Sequence, residues 1–123
     1  MLRTFLRAKL HRAAVTQADP DYEGSISIDR ALCREAGLLE YEQVDIYDIN
    51  NGARFTTYVI YGDAGQIKIN GAAARLVDVG DRVIICAYIG LAPDEVDKHA
   101  ARIVQVSPEN KVVSVHTNAV HQP

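Results

Sequence analysis

Gly24-Ser25 is the dipeptide of this chain with the most specific chemical potential. It follows a polar stretch, Gln17 to Tyr22, that contains the turn signal Asp19-Pro20-Asp21. By itself a Gly-Ser pair is an ordinary turn element. Its chemical reading is narrower. On a strained backbone, which glycine tolerates better than other residues, the Ser25 hydroxyl oxygen can attack the Gly24 carbonyl carbon. The ester so formed eliminates to release a chain ending at Gly24. The dehydroalanine left at position 25 hydrolyses to a pyruvoyl group, a reactive ketone made from the chain itself. Other chemistries find less support. The four histidines, His11, His99, His116 and His121, have no metal-ligand spacing, and no bound metal is expected. The phosphate-loop, dinucleotide-binding and zinc-protease motifs are absent.

The elements that would position this dipeptide are short strands. In the first, Leu6, Ala8 and Leu10 fall on one face and Arg7, Lys9 and His11 on the other. Ser25 to Ile28 alternates as a half-buried strand should. Asp29 is a good N-cap for a short helix over Arg30 to Ala36, and Gly37 supplies its stop. Val44 to Ile49 and Arg54 to Tyr61 read as a hairpin around Asn50-Asn51-Gly52. A turn at Gly62 to Gly65, a strand at Ile67 to Ile69 and a capped short helix at Asn70 to Arg75 follow. Val83 to Ala92 reads as a buried strand and Pro93 to His99 as a loop or single helical turn. Strands at Arg102 to Val106 and Val112 to Val115 and a frayed tail from Asn118 complete the chain. Many short strands with closely spaced turns and a few short helices indicate a small, mainly β, closed barrel.

A chain of 123 residues makes one domain, and 48% hydrophobic with 24% charged residues is an ordinary globular balance. A formal net charge of −3 gives no field that would draw it to nucleic acid or an anionic membrane. The apolar run at Val83 to Ala92 is about half the roughly 20 residues a membrane helix needs. Cys33 and Cys86 stand alone, as expected in a reducing, cytoplasmic setting. Residues 1–18 are basic and acid-poor, like a transit peptide, but their alternation favours the strand.

Over nearly its whole length, to about Val115, the chain resembles the bacterial aspartate decarboxylase family. The segments that carry the resemblance are Met1 to Thr4, Lys9 to Arg12, Tyr22 to Ser25, Asn51 to Arg54, Thr57-Tyr58 and Asn70 to Ala74. Each is weak alone; their order and spacing together are specific. The resemblance implies a double-psi β-barrel, a homotetramer, and a precursor cleaved between Gly24 and Ser25 into chains 1–24 and 25–123. A maturation factor is a further partner compatible with it. Ser25 would become the covalently bound pyruvoyl group, whose ketone forms a Schiff base with L-aspartate on the way to β-alanine, which feeds pantothenate synthesis. Tyr58 matches the proton donor, and Arg54 and Lys9 match cations that bind substrate carboxylates. Thr57 matches a residue used in processing and substrate binding. Asn70, Gly71, Ala72 and Ala73 match the substrate-contacting loop, and His11 and Tyr22 match supporting residues. Period-two alternation puts Arg54 and Tyr58 on one strand face and Thr57 on the other. There are two departures from the family pattern. The Gly62 to Gly65 loop is short and carries Asp63, and Tyr47 stands where relatives often have tryptophan.

Other readings remain open at this stage. Pyruvoyl enzymes also decarboxylate histidine, arginine or ornithine, but Lys9 and Arg54 favour a substrate with a second carboxylate. An uncleaved double-psi barrel could serve as a non-catalytic binding module. A hydrolase using Ser25 as an N-terminal nucleophile would need the amine that pyruvoyl formation destroys.

Overall fold

Alternation in the first strand sets the inside and outside of the molecule. The computed structural model describes residues 1–123. β1 (Arg3–Ala14) turns Ala8 and Leu10 inward, where both are fully buried, and leaves Lys9 and His11 on the other face. β2 (Gln17–Asp19), β3 (Ser25–Asp29), helix α1 (Arg30–Ala36), β4 (Gln43–Asp48), β5 (Arg54–Gly62), β6 (Ile67–Asn70), β7 (Arg82–Leu91), β8 (Ala100–Val106) and β9 (Val112–Ala119) follow. Two 3-10 segments, Gly71–Leu76 and Pro93–Lys98, flank β7. The strands form one mixed sheet in the order β2-β6-β3-β5-β4-β7-β1-β8-β9.

β1 and β2 are neighbours in the chain yet seventh and first in the sheet, so the sheet has to curl back on itself. Thr16 marks the join. Its amide donates to the Ile67 carbonyl at 2.8 Å, and its hydroxyl accepts from the Ile67 amide at 2.9 Å. The result is a mainly β, barrel-like fold whose interior is aliphatic: Leu10, Ile26, Ile46, Val59, Ile69 and Ile85 are all fully buried. Each such side chain contributes about 1.5–3 kcal/mol relative to exposure. No helix is long and apolar enough to cross a membrane.

The helix forms where expected. Asp29 Oδ1 accepts from the Ala31 amide at 2.8 Å, and Gly37 ends the helix at φ 72°. Asp29 Oδ2 also accepts from the Gly65 amide at 2.8 Å, and Asn110 Nδ2 donates to the Gly65 carbonyl at 2.9 Å. The short Gly62 to Gly65 loop is thereby pinned from both sides.

Five expectations need correction. The polar stretch after β1 contains a strand, β2, paired in parallel with Lys68 to Asn70; three residues are too few for a periodic signal. β3 is buried along its whole length, because it lies between β5 and β6 and Asn70 covers its serine side. β7 is buried only in part: Tyr88 is exposed on its outer face. The tail is ordered further than expected, since β9 runs to Ala119 and pairs with Ala100. Finally, Asn70 makes no cap hydrogen bond to the 3-10 segment that follows it.

The β4–β5 turn holds a buried acid. Asp48, 2% exposed, accepts from the Asn50 and Asn51 amides through Oδ1, while Oδ2 has no hydrogen-bond partner. Burial, and then the neighbouring Asp81 carboxyl, push its pKa above the ordinary aspartate value. The folded protein therefore holds this proton more tightly than the unfolded chain, and the associated stability is lost as pH rises through the raised value. Asp48→Asn keeps the Oδ1 acceptor and removes the charge. Its melting temperature at pH 7 should rise by about 2–4 °C, with the gain shrinking as pH falls toward the ordinary aspartate range, measured by calorimetry.

Candidate active site

The start of β3 brings a row of polar side chains together. Ser25 pairs with Asn70 on β6, and Ile26 pairs with Val59 on β5, so Ser25 lies beside Tyr58; Tyr58 in turn pairs with Gln43 on β4. Asn70, Ser25, Tyr58 and Gln43 thus occupy neighbouring positions on the face opposite the core residues Ile26 and Val59. The junction crosses the molecular surface: Gly24 is exposed, whereas Ser25 is 2% exposed. The Ser25 hydroxyl donates to the Glu23 carbonyl at 3.2 Å and accepts from Asn70 Nδ2 at 2.9 Å. Asn70 Nδ2 also donates to Ser27 Oγ at 3.2 Å, and Asn70 Oδ1 is buried without a partner.

The glycine requirement at this junction falls on Gly71, not Gly24. Gly24 itself has φ outside the left-handed region, and a Cβ there would meet nothing within 4 Å. Gly71 has φ +75°, and a Cβ on it would lie 2.7 Å from Gly24 Cα and 3.4 Å from the Tyr22 carbonyl oxygen. Gly71 and the 3-10 segment it opens therefore press directly on the chain before Ser25. Ala72 is exposed and Ala73 half-buried along this segment.

Lys68 and Ser27 are site residues that the sequence reading missed. Lys68 Nζ sits 4.3 Å above the Tyr22 ring and 3.9 Å from Asp19 Oδ2, holding the segment before the junction to β6. Both residues stand two positions from a recognised one on the same strand, Lys68 from Asn70 and Ser27 from Ser25. Period-two alternation was the available signal.

The basic residues lie elsewhere on the outer face. Arg54 pairs with Tyr47 across β4–β5, and its guanidinium stacks 4.1 Å from the centre of that ring. Tyr47 and Tyr88 share a 2.7 Å hydroxyl–hydroxyl hydrogen bond, so the ring under Arg54 is itself anchored. Tyr47, Ile84 and His11 continue the row that starts at Arg54, and Lys9 pairs with Cys86 in the adjacent row. At about 4.8 Å per strand, His11 and Arg54 are about 14 Å apart along the sheet, and Arg54 is about 13 Å along β5 from Tyr58. One chain therefore places Tyr58 beside Ser25 but leaves Lys9, His11 and Arg54 outside its reach. Neither Lys9 nor Arg54 forms an ion pair with a carboxylate.

Arg54, Thr56 and Tyr58 are exposed while Thr57 is half-buried, so Arg54 and Tyr58 share a face that Thr57 does not. Thr57 nonetheless borders an open groove of about 530 Å³ with Tyr41, Gln43, Thr56 and Tyr58. His11 has a lowered pKa, caused first by burial and then by the charges of Lys9, Arg12 and Arg82, and its Nδ1 is buried without a partner. Burial pushes the Cys33 thiol up to about 12 and raises Cys86 as well, so neither is a ready nucleophile. No three His, Cys, Asp or Glu side chains converge as a metal site would require.

Fold and site together define a small barrel-like β protein whose desolvated Ser25 follows an exposed glycine at the head of a central strand. The chain belongs to the aspartate decarboxylase family, whose sequence model, described as Aspartate decarboxylase, matches residues 1–113. It is 58% identical over 109 residues to the aspartate 1-decarboxylase of Bdellovibrio bacteriovorus, covering 89% of this chain and 88% of that protein. It is 52% identical over 115 residues to the aspartate 1-decarboxylase of Psychromonas ingrahamii, covering 92% and 91% respectively. With the aspartate 1-decarboxylase of Ralstonia nicotianae it shares 49% identity over 117 residues, or 94% and 98% of the two chains.

The close approach at Gly71 is testable by substitution. Gly71→Ala should lose about 1–3 kcal/mol of stability in urea denaturation, because alanine resists the left-handed φ and its methyl collides with Gly24. A neutral effect would show that the Tyr22 to Ser25 segment yields easily.

Proposed function

We propose that this protein is a pyruvoyl-dependent carboxy-lyase that converts L-aspartate to β-alanine and CO2, supplying pantothenate synthesis, after cleaving itself between Gly24 and Ser25. The observation that carries this reading is the junction itself: an exposed Gly24 followed by a desolvated Ser25 whose hydroxyl is held by Asn70 beside Tyr58. In processing, Ser25 Oγ adds to the Gly24 carbonyl carbon and the C–N bond breaks, the nitrogen taking up the proton. Loss of the Ser25 Cα proton then breaks the Cβ–Oγ bond, so Oγ leaves as part of the Gly24 carboxylate. Water replaces the nitrogen at position 25, which departs as ammonia.

The residues around position 25 suit a pyruvoyl group. Asn70 Oδ1 is buried and unpartnered, and Gly71, having no side chain, lets the Gly24 backbone pack against it next to residue 25. Such a group supplies the electron-withdrawing ketone that makes loss of CO2 from a bound amino acid feasible. Tyr58, next to Ser25 in the strand register, returns a proton to the substrate carbon in this reading. Arg54 supports dicarboxylate binding. Its charge is steadied by the face of Tyr47, so its in-plane N–H groups remain available for a bidentate carboxylate. Lys9, also without an acidic partner, supplies the second cation. Thr57 acts in processing, with His11 and Tyr22 in support.

Because Arg54 and Lys9 lie too far from Ser25 within one chain, the site is completed by a neighbouring copy in a homotetramer. Co-expressing Ser25→Ala chains with Arg54→Ala chains should then restore activity that neither variant has alone. No recovery in verified mixed oligomers would mean that both residues act from one chain and would overturn the completion of the site by a neighbouring copy.

The intact mass of incubated protein should show two fragments meeting at Gly24/Ser25. Borohydride reduction in the presence of L-aspartate should leave substrate covalently retained on the larger fragment. Ser25→Ala should stay full length and retain nothing. A wild-type chain that never cleaves, with or without a maturation factor, and retains no substrate would overturn the reading.

A further inference from the structure

Asn70 Nδ2 spends both of its hydrogens on serine hydroxyls, Ser25 Oγ at 2.9 Å and Ser27 Oγ at 3.2 Å. All three residues are buried: Asn70 is 1% exposed, Ser25 2% and Ser27 6%. Asn70 Oδ1 meanwhile has no partner. A buried carboxamide in that state is costly, about 1–3 kcal/mol for the unsatisfied oxygen, and a carboxamide with no remaining tether would be free to rotate. Processing removes one tether, because Oγ of residue 25 leaves with the Gly24 carboxylate. What remains is Ser27.

We propose that Ser27 is a positioning residue, holding the Asn70 carboxamide against residue 25 once the Ser25 hydroxyl is gone. The proposal rests on the self-cleavage reading above and adds a residue to it. Ser27 is two positions beyond Ser25 on the same face of β3, and a hydroxyl is the smallest side chain there that keeps Asn70 in place. With Asn70 held by Ser27 alone, its second Nδ2 hydrogen and its Oδ1 both face the altered residue 25. There Oδ1 accepts from the amine and the Nδ2 hydrogen donates to a carboxylate of a bound amino acid.

Two measurements test this. In the first, the Ser25→Ala protein stands in for the loss of Oγ without requiring any cleavage. The side-chain Nδ2 hydrogens of Asn70, followed by nitrogen-15 NMR, should exchange with solvent about 5–10-fold faster when Ser27→Ala is added to that background. Equal exchange rates in the two proteins would overturn the role of Ser27, whether or not the wild-type chain cleaves. In the second, the single variants Ser27→Ala and Ser27→Cys, matured and normalised to the amount of fragment 25–123, should show KM for L-aspartate raised about 5–10-fold with kcat changed much less. Ser27→Thr keeps the hydroxyl and should restore KM. Equal KM across folded variants, or a Thr variant as impaired as Ala, would also reject the proposal. An uncleaved wild-type chain that makes no β-alanine would instead sink the reading of the site, while the exchange measurement would still decide the hydrogen bond.

Discussion

Val15 and Thr16 alone separate the strand that lies seventh in the sheet from the one that lies first. So short a link leaves the strands between them no option but to wrap, and Thr16 closes the wrap with hydrogen bonds to Ile67. The two faces then have opposite fates. One encloses an aliphatic interior in which Leu10, Ile46 and Ile85 meet. The other carries Lys9, His11, Arg54 and Tyr58, spread around a convex surface. On that outer face Arg54 lies well along β5 from Tyr58, and Lys9 lies three strands away from β5.

Against that convex face, the β3–β6 ladder buries one polar cluster. Ser25, Ser27 and Asn70 are desolvated together, and in a setting of low polarity each hydrogen bond counts for more and each omission costs more. Gly71 lets the 3-10 segment lie close over the junction. The arrangement is tight enough to exclude water from the serine, yet it leaves the amide oxygen of Asn70 unused. Buried polar groups are normally satisfied, so this unused acceptor is an exception in the core of the chain.

Arg54 shows a different way of preparing a cation. An acidic partner would steady the guanidinium but occupy the N–H edge that a carboxylate ligand needs. The Tyr47 ring steadies it through its face and leaves that edge available. Tyr88 anchors the ring through its hydroxyl, which places the support two strands away from Arg54.

Much of this was legible in the residues themselves. Alternation alone located β1, the β4–β5 hairpin and the shared face of Arg54 and Tyr58, because period two is a property of any extended chain. The Asp29 cap and Gly37 stop bounded the helix at Arg30–Ala36, because capping depends on atoms a few residues away. Motif order identified the family. What only the tertiary structure decided was everything that depends on who lies across a ladder. A three-residue strand such as β2 has no period to read and exists because β6 offers it an edge. The burial of β3, the diversion of Asn70 from capping to Ser25 and Ser27, and the approach of Gly71 to Gly24 join residues more than forty positions apart. Local sequence encodes conformation at short range. Desolvation and hydrogen-bond partnership are settled when distant strands pair.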